Sequence, residues 1–420
     1  MDSDRLLNPT LTIEVKRRSL AQSSVLGMAA LAMVATLPGR TQGLGLITEP
    51  LLTTLNIDRV TYSELNFWAT IIGAAFCLPC GRLIDRMGPR AVLTAAIGAL
   101  GLTVVVMSEA SGVAQLAILL TLTRGFGQSA LSVVSLTVVG KYFAERIHMA
   151  MGLYSLMVGV GFIVAFPSVG QAAVRFGWRA AWLGVGLTLL LIVAPLGWLS
   201  LRKPPAGSVA ETEEASEADA LETDLTVADA LRSPAFWIFA LASSLFGLVY
   251  SGIALFNQSI LEERGFDAST YHLALVISTL VGLAANFAGG WISTRVPVQK
   301  VMAVGMSVLA GSVLMLPFVS TLTEVATYAI AMGLAGGIVT VVFFSVWAQV
   351  FGRTHLGRIQ GVAQMMTVLA SAIGPVLLAR TLASTGSYRA VFLMLAAVVF
   401  CFGVASWVVR LPDRRAARTT

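Results

Sequence analysis

Two arginines, Arg40 and Arg124, stand inside long apolar stretches of the chain, away from any charged run that would place them at a surface. A guanidinium deep in a bilayer costs at least ~2.5 to 3.5 kcal/mol, so each is expected to face a bundle interior or a water-filled cavity. The chemistry open to it there is anion binding, because its planar fork of donors matches a carboxylate two bonds at a time. Gln128, Ser132 and Ser135 continue the face of Arg124 at helical spacing. Arg40 follows Pro38 and Gly39, and a proline there removes an amide donor, frees a carbonyl and predicts a kink or break. Glu49, Glu64, Glu109 and Glu324 all fall near the ends of apolar stretches, so no acid of comparable depth offsets the two cations.

Other chemistries find little support. Cys77 and Cys80 lie in an apolar segment without the electropositive, accessible setting a reactive thiolate needs, and His148, His272 and His355 are scattered, so neither a redox pair nor a metal site is expected. There is no phosphate-binding Gly-x-x-x-x-Gly-Lys-Ser/Thr loop and no grouped nucleophile, base and orienting residue, so no cofactor and no enzymatic reaction is expected.

The elements that carry these residues follow from composition. With 56% hydrophobic and only 12% charged residues, the natural solvent is lipid. About 20 apolar residues cross the hydrocarbon, and runs of that length occur near 22–54, 63–82, 91–108, 114–140, 149–170, 178–200, 236–260, 270–292, 298–319, 323–350, 359–383 and 388–410. The expected fold is an all-α polytopic membrane protein of twelve helices. Of the 28 Lys and Arg, 20 fall on the side of the termini and 6 on the other, which predicts a multi-pass protein of the cell membrane with both termini cytoplasmic. The basic balance therefore reports topology and contact with lipid headgroups, and no basic face suited to nucleic acid is present. The organisation expected is a tail to residue 21, a first half over 22–202, an acidic cytoplasmic linker over 203–233, a second half over 234–410 and a tail over 411–420. The linker is too polar and too acidic to order itself.

The halves repeat. Gly177-Trp178-Arg179-Ala180 recurs as Ser387-Tyr388-Arg389-Ala390, Phe143 through Gly152 to Pro167 recurs as Phe351 through Gly361 to Pro375, and Gly81 and Pro89 match Gly289 and Pro297. Two pseudo-symmetric six-helix halves follow, an arrangement that places a binding site near the midplane between them. Gly81-Arg82-Leu83-Ile84-Asp85-Arg86-Met87-Gly88-Pro89-Arg90 resembles the Gly-x-Leu-x-Asp-Arg-x-Gly-x-Arg/Lys signature of the major facilitator superfamily of secondary transporters. The resemblance covers the whole chain, although the counterpart at Gly289 to Arg295 lacks the acid. It implies alternating access to a small solute, with Gly81, Asp85, Arg86, Gly88 and Arg90 in a gating role. Locally, Gly81 permits close helix approach, and Asp85 can accept from a helix N-terminus or a basic residue across the bundle.

In that superfamily the first, fourth, seventh and tenth helices line the cavity. The candidate binding set is accordingly Arg40, Arg124, Gln128, Tyr250, Asn257, Thr340, Trp347 and Gln364, with Glu49 and His272 as candidates for proton coupling. Leu120 to Gln128, with Arg124 at its centre, resembles a fourth-helix motif of proton-linked members. Phe351 to Gly361 is similar to bacterial relatives of monocarboxylate and oxalate/formate carriers, while helix eight, with Asn286 and apolar neighbours, departs from them. Two cations without a deep acid favour an anionic solute, a mono- or dicarboxylate first, moved by a monomer with a proton or by exchange. Inorganic anions, efflux of amphipathic compounds, a non-transporting receptor and a structural role for either arginine stay open.

Overall fold

The computed structural model describes residues 23–143, 147–201 and 224–412. Residues 1–22, 144–146, 202–223 and 413–420, which take in most of both tails and of the linker, lie outside the described residues, and so do the side chains of Glu49, Asn257 and His272. Lipid leaves no partner for an open backbone group, so the chain folds as helices that bond internally. They are α1 (Ser23–Gly39), α2 (Arg59–Ala74, continuing as Cys77–Met87), α3 (Pro89–Ser108), α4 (Val113–Tyr142), α5 (Ile147–Phe176) and α6 (Trp178–Ser200). The second half holds α7 (Pro234–Glu262), α8 (Ala268–Ile292), α9 (Val298–Met315), α10 (Leu322–Phe351), α11 (Leu356–Thr385) and α12 (Arg389–Val408). Among the described residues, eleven helices are long and apolar enough to span a membrane, and α1 is a shorter apolar one.

The first span is not the single helix expected over 22–54. It loosens after residue 34, tightens into a 3-10 turn at Leu37–Gly39, is extended at Arg40, and resumes as Thr41–Gly45 and Thr48–Leu55. Pro38 supplies the cause, since it cannot donate to the carbonyl one turn back.

The duplication extends to fine detail. Asp58 caps α2 by accepting from the Thr61 amide at 3.0 Å, and Asp267 caps α8 by accepting from the Thr270 amide at 3.0 Å. Each cap is preceded by a left-handed residue, Asn56 and Gly265. Pro167 in α5 and Pro375 in α11 are likewise paired. At the terminus side, Arg90 stacks on Trp198 at 3.9 Å and Lys300 lies over Trp407 at 5.6 Å, tying α3 to α6 and α9 to α12.

The linker's far end departs from the sequence expectation. Asp224 Oδ2 accepts from the amides of Arg353 and Thr354 at 2.7 and 2.9 Å and from the Thr354 hydroxyl at 2.9 Å. Leu225 is buried, and Val227–Arg232 is a short helix capped by Thr226. The turn between α10 and α11 offers unsatisfied amides, and one carboxylate with one leucine suffices to order the segment.

Candidate substrate site and gate

Helix α4 turns into a π-helix over Arg124–Leu131, and this segment receives the break in α1. A Cβ on Gly39 would sit 2.6 Å from the Thr123 carbonyl oxygen and 2.8 Å from Gly127 Cα, so only glycine allows the two backbones to meet. Arg124 is 1% exposed and spends every donor on neutral oxygens. Its Nη1 donates to the Gly39 carbonyl and to Gln128 Oε1, both at 2.9 Å. Nη2 donates to Asn66 Oδ1 at 2.7 Å and Thr41 Oγ1 at 3.2 Å, and Nε donates to Asn66 Oδ1 at 3.2 Å. The carbonyl released at the break is thus one of the groups that hold the cation.

Arg40 is half-buried at the same break. Its Nε donates to Thr36 Oγ1 at 2.6 Å, one Nη2 hydrogen points to Met33 Sδ at 2.9 Å, and the guanidinium lies 5.2 Å from the Phe162 ring centre on α5. Phe162 stacks on Phe166 at 5.1 Å. Among the described residues, the ion pairs involve Asp85 and Glu263, so neither Arg40 nor Arg124 is neutralised by a carboxylate there. Thr41 and Gln42 beside them are exposed, so the break reaches the protein surface next to buried Arg124 and half-buried Arg40.

The other candidates divide. Gln128 belongs to the Arg124 cage, and Ser135 bonds the Ala29 carbonyl and the Tyr154 hydroxyl at 2.7 and 2.6 Å, joining α1, α4 and α5. Tyr250 is 45% exposed and stacks on Phe246. Thr340 and Gln364 are half-buried. Trp347 does not line a cavity: it is fully buried, packed against Phe236, Phe343 and Phe351 at 5.5, 5.8 and 6.1 Å. Helix α10 is apolar on all sides, so periodicity could not tell its cavity face from its packed face. Glu49 and Asn257 lie on helices whose described backbone does not carry their side chains, and the same holds for His272. Asn66, which takes two bonds from Arg124, was missed because a single amide in α2 carries no spacing signal.

The candidate gate residues meet the other half where α2 crosses α11. Asp85 Oδ1 pairs with Lys141 Nζ at 3.0 Å and accepts from the Gly357 amide at 3.2 Å, while Oδ2 accepts from the Arg358 amide at 3.1 Å. Its side chain is 4% exposed. A carboxylate from one half therefore caps the N-terminus of a helix in the other, with the helix dipole in its favour. A Cβ on Gly81 would collide with the Gly357 carbonyl, and one on Gly361 would lie 2.7 Å from the Cys77 carbonyl. Thr137 of α4 adds a bond to Gln360 of α11 at 3.2 Å. Arg86 is exposed, Gly88 adopts a positive φ of 79° before α3, and Arg90 donates to the Trp198 carbonyl within its own half. The basic partner of Asp85 is thus Lys141, with the Arg358 side chain at 3.9 Å.

Two repeated six-helix halves, joined on one side by such a clamp and carrying buried cations at a helix break, define a secondary transporter, not an enzyme. The chain belongs to the Major Facilitator Superfamily, which it matches over residues 28–260 and again over 240–420. It is similar to monocarboxylate transporter 13 of Rattus norvegicus, 25% identical over 336 residues that cover 78% of this chain and 76% of the relative. It is also similar to monocarboxylate transporter 2 of Homo sapiens, 23% identical over 372 residues covering 83% and 77%. Its fold matches the crystal structure of the human organic anion transporter MFSD10 with a TM-score of 0.70 at 16% identity, over 91% of this chain and 99% of that one.

Proposed function

We propose that this carrier moves a small organic anion, a carboxylate, by alternating access, coupled to a proton or by exchange. The observation that carries the reading is Arg40: a half-buried guanidinium at a helix break, next to exposed Thr41 and Gln42, unneutralised among the described residues. A fixed positive charge in such a setting attracts an anion far more strongly than one at a surface does. The names of the similar monocarboxylate transporters point the same way. The interhalf contacts at Asp85, Gly361 and Thr137 all lie near the termini, which supports a state closed on that side. With both termini cytoplasmic in the cell membrane, this is the outward-facing state, and opening the Asp85 clamp is the step that admits solute to the cytoplasm.

Uptake into proteoliposomes across a panel of organic and inorganic anions tests the reading. Saturable uptake of one or more carboxylates, lost in Arg40→Ala, is expected. Carboxylate uptake that is unchanged in Arg40→Ala would sink it.

A further inference from the structure

Arg40 and Arg124 look alike in sequence but differ in what remains free on them. All five N–H donors of Arg124 are engaged, by oxygens from α1, α2 and α4. Three of these bonds go to Gly39, Thr41 and Gln128, and two go to Asn66. An anion could bond to Arg124 only by displacing them. Arg40 uses Nε and one Nη2 hydrogen, leaving both Nη1 hydrogens and the other Nη2 hydrogen without a partner among the described residues. The free pair, one on each terminal nitrogen, is the end of the fork that holds a carboxylate by two parallel bonds.

The repeat assigns a candidate for the opposite wall. Ala30-Leu31-Ala32 in α1 matches Ala240-Leu241-Ala242 in α7, and at the same offset Tyr250 is the counterpart of Arg40. The pseudo-symmetry of the halves sets the two at equal depth on either side of the cleft. Phe246, stacked on Tyr250 at 5.6 Å, lies 3.7 Å from where a Cβ on Gly336 of α10 would be, so Phe246 packs against α10 and leaves the Tyr250 ring 45% exposed beside it. The Phe162 and Phe166 stack stands beside Arg40.

Building on the carrier reading above, we infer that the site takes a carboxylate with one negative charge and an apolar body: Arg40 is its ligand, and Arg124 with Asn66 is a positioning clamp that holds the broken first helix. A dianion would bring a second charge toward a guanidinium with no donor left for it and toward the Phe162 and Phe166 rings, which cannot solvate it. The clamp, by contrast, acts on the backbone of residues 37–45 whether or not solute is present.

The test uses the full-length carrier and two probes that differ by one carboxylate, benzoate and phthalate. Benzoate should bind and be taken up, with phthalate weaker by about tenfold or more, the scale of one charge-assisted bond. Arg40→Gln should raise the KM for benzoate by about tenfold or more. Arg124→Lys and Asn66→Ala should leave that KM within about threefold and lower the maximal rate instead, as expected for a group that does not touch solute. Hydrogen–deuterium exchange in residues 37–45, measured without any anion, should rise about tenfold in Arg124→Lys and Asn66→Ala and stay unchanged in Arg40→Gln. Equal KM effects for both arginines, phthalate bound as tightly as benzoate, or unaltered exchange in the clamp variants would each overturn the division. Wild-type protein that takes up neither probe nor any other anion would instead end the carrier reading itself, while the exchange result would still decide the clamp.

Discussion

At the α2/α11 crossing Asp85 caps a helix from the other half, and Gly361 brings the backbones together until a Cβ there would lie 2.7 Å from the Cys77 carbonyl. At the repeated crossing, α8 against α5, the position of Asp85 is taken by Ser293, whose buried hydroxyl has no partner among the described residues. The counterpart of Gly361 is Gly152, where a Cβ would sit 3.4 Å from Gly290 Cα. Duplication has kept the course of the helices and concentrated charge and close contact at one seam. The difference teaches that two crossings of one descent join the halves by different means, one by a carboxylate cap on tight glycine packing and the other without charge.

The largest effect expected is that of Asp85→Asn. Losing charge-assisted bonds worth roughly 1.5 to 3 kcal/mol should shift the population away from the closed state about ten- to a hundredfold. Distances between spin labels on the terminus-side ends of α2 and α11 would report it, and Ser293→Ala should leave them alone. An equal shift from both substitutions breaks the asymmetry. Next, Gly361→Ala should destabilise by about 1 to 3 kcal/mol through overpacking, whereas Gly152→Ala should stay within about 0.5 kcal/mol. Thermal melting in detergent separates them. A smaller effect tests the part that was duplicated faithfully: Asp58→Ala and Asp267→Ala should each cost about 1 kcal/mol, the worth of a helix cap. Unequal melting shifts would show that the caps, too, have diverged. Smallest of all, Arg90→Ala should lose about 0.5 to 1 kcal/mol and Lys300→Ala less, because Arg90 lies closer to its ring and also bonds the Trp198 carbonyl.

How much of this was legible in the sequence depends on the physics behind each feature. Span positions and the repeat were readable because lipid forces every backbone group into a helix, leaving long apolar runs as the record. The break at Arg40 was readable from Pro38 alone. Asp85 announced itself by its spacing from Gly81 and Arg90, but its partner did not. Lys141 looked like one more loop cation fixing orientation, and only the crossing of α2 with α11 makes it an ion-pair partner. The difference between the two arginines was hidden for the same reason. It depends on Asn66, Gly39 and Thr41 converging on one guanidinium from separate helices. In Trp347 an aromatic at a plausible depth proved to be core, since a helix buried all round has no polar stripe to orient it.

The docking of Asp224 gives the connection between the halves a fixed point on the second half. Its anchorage on Arg353 and Thr354 lies three to five residues from Gly357 and Arg358, the amides that Asp85 caps. In mechanical terms the connecting chain is tied to the second half beside the Asp85 cap, so any displacement of that cap is carried to Asp224 as well.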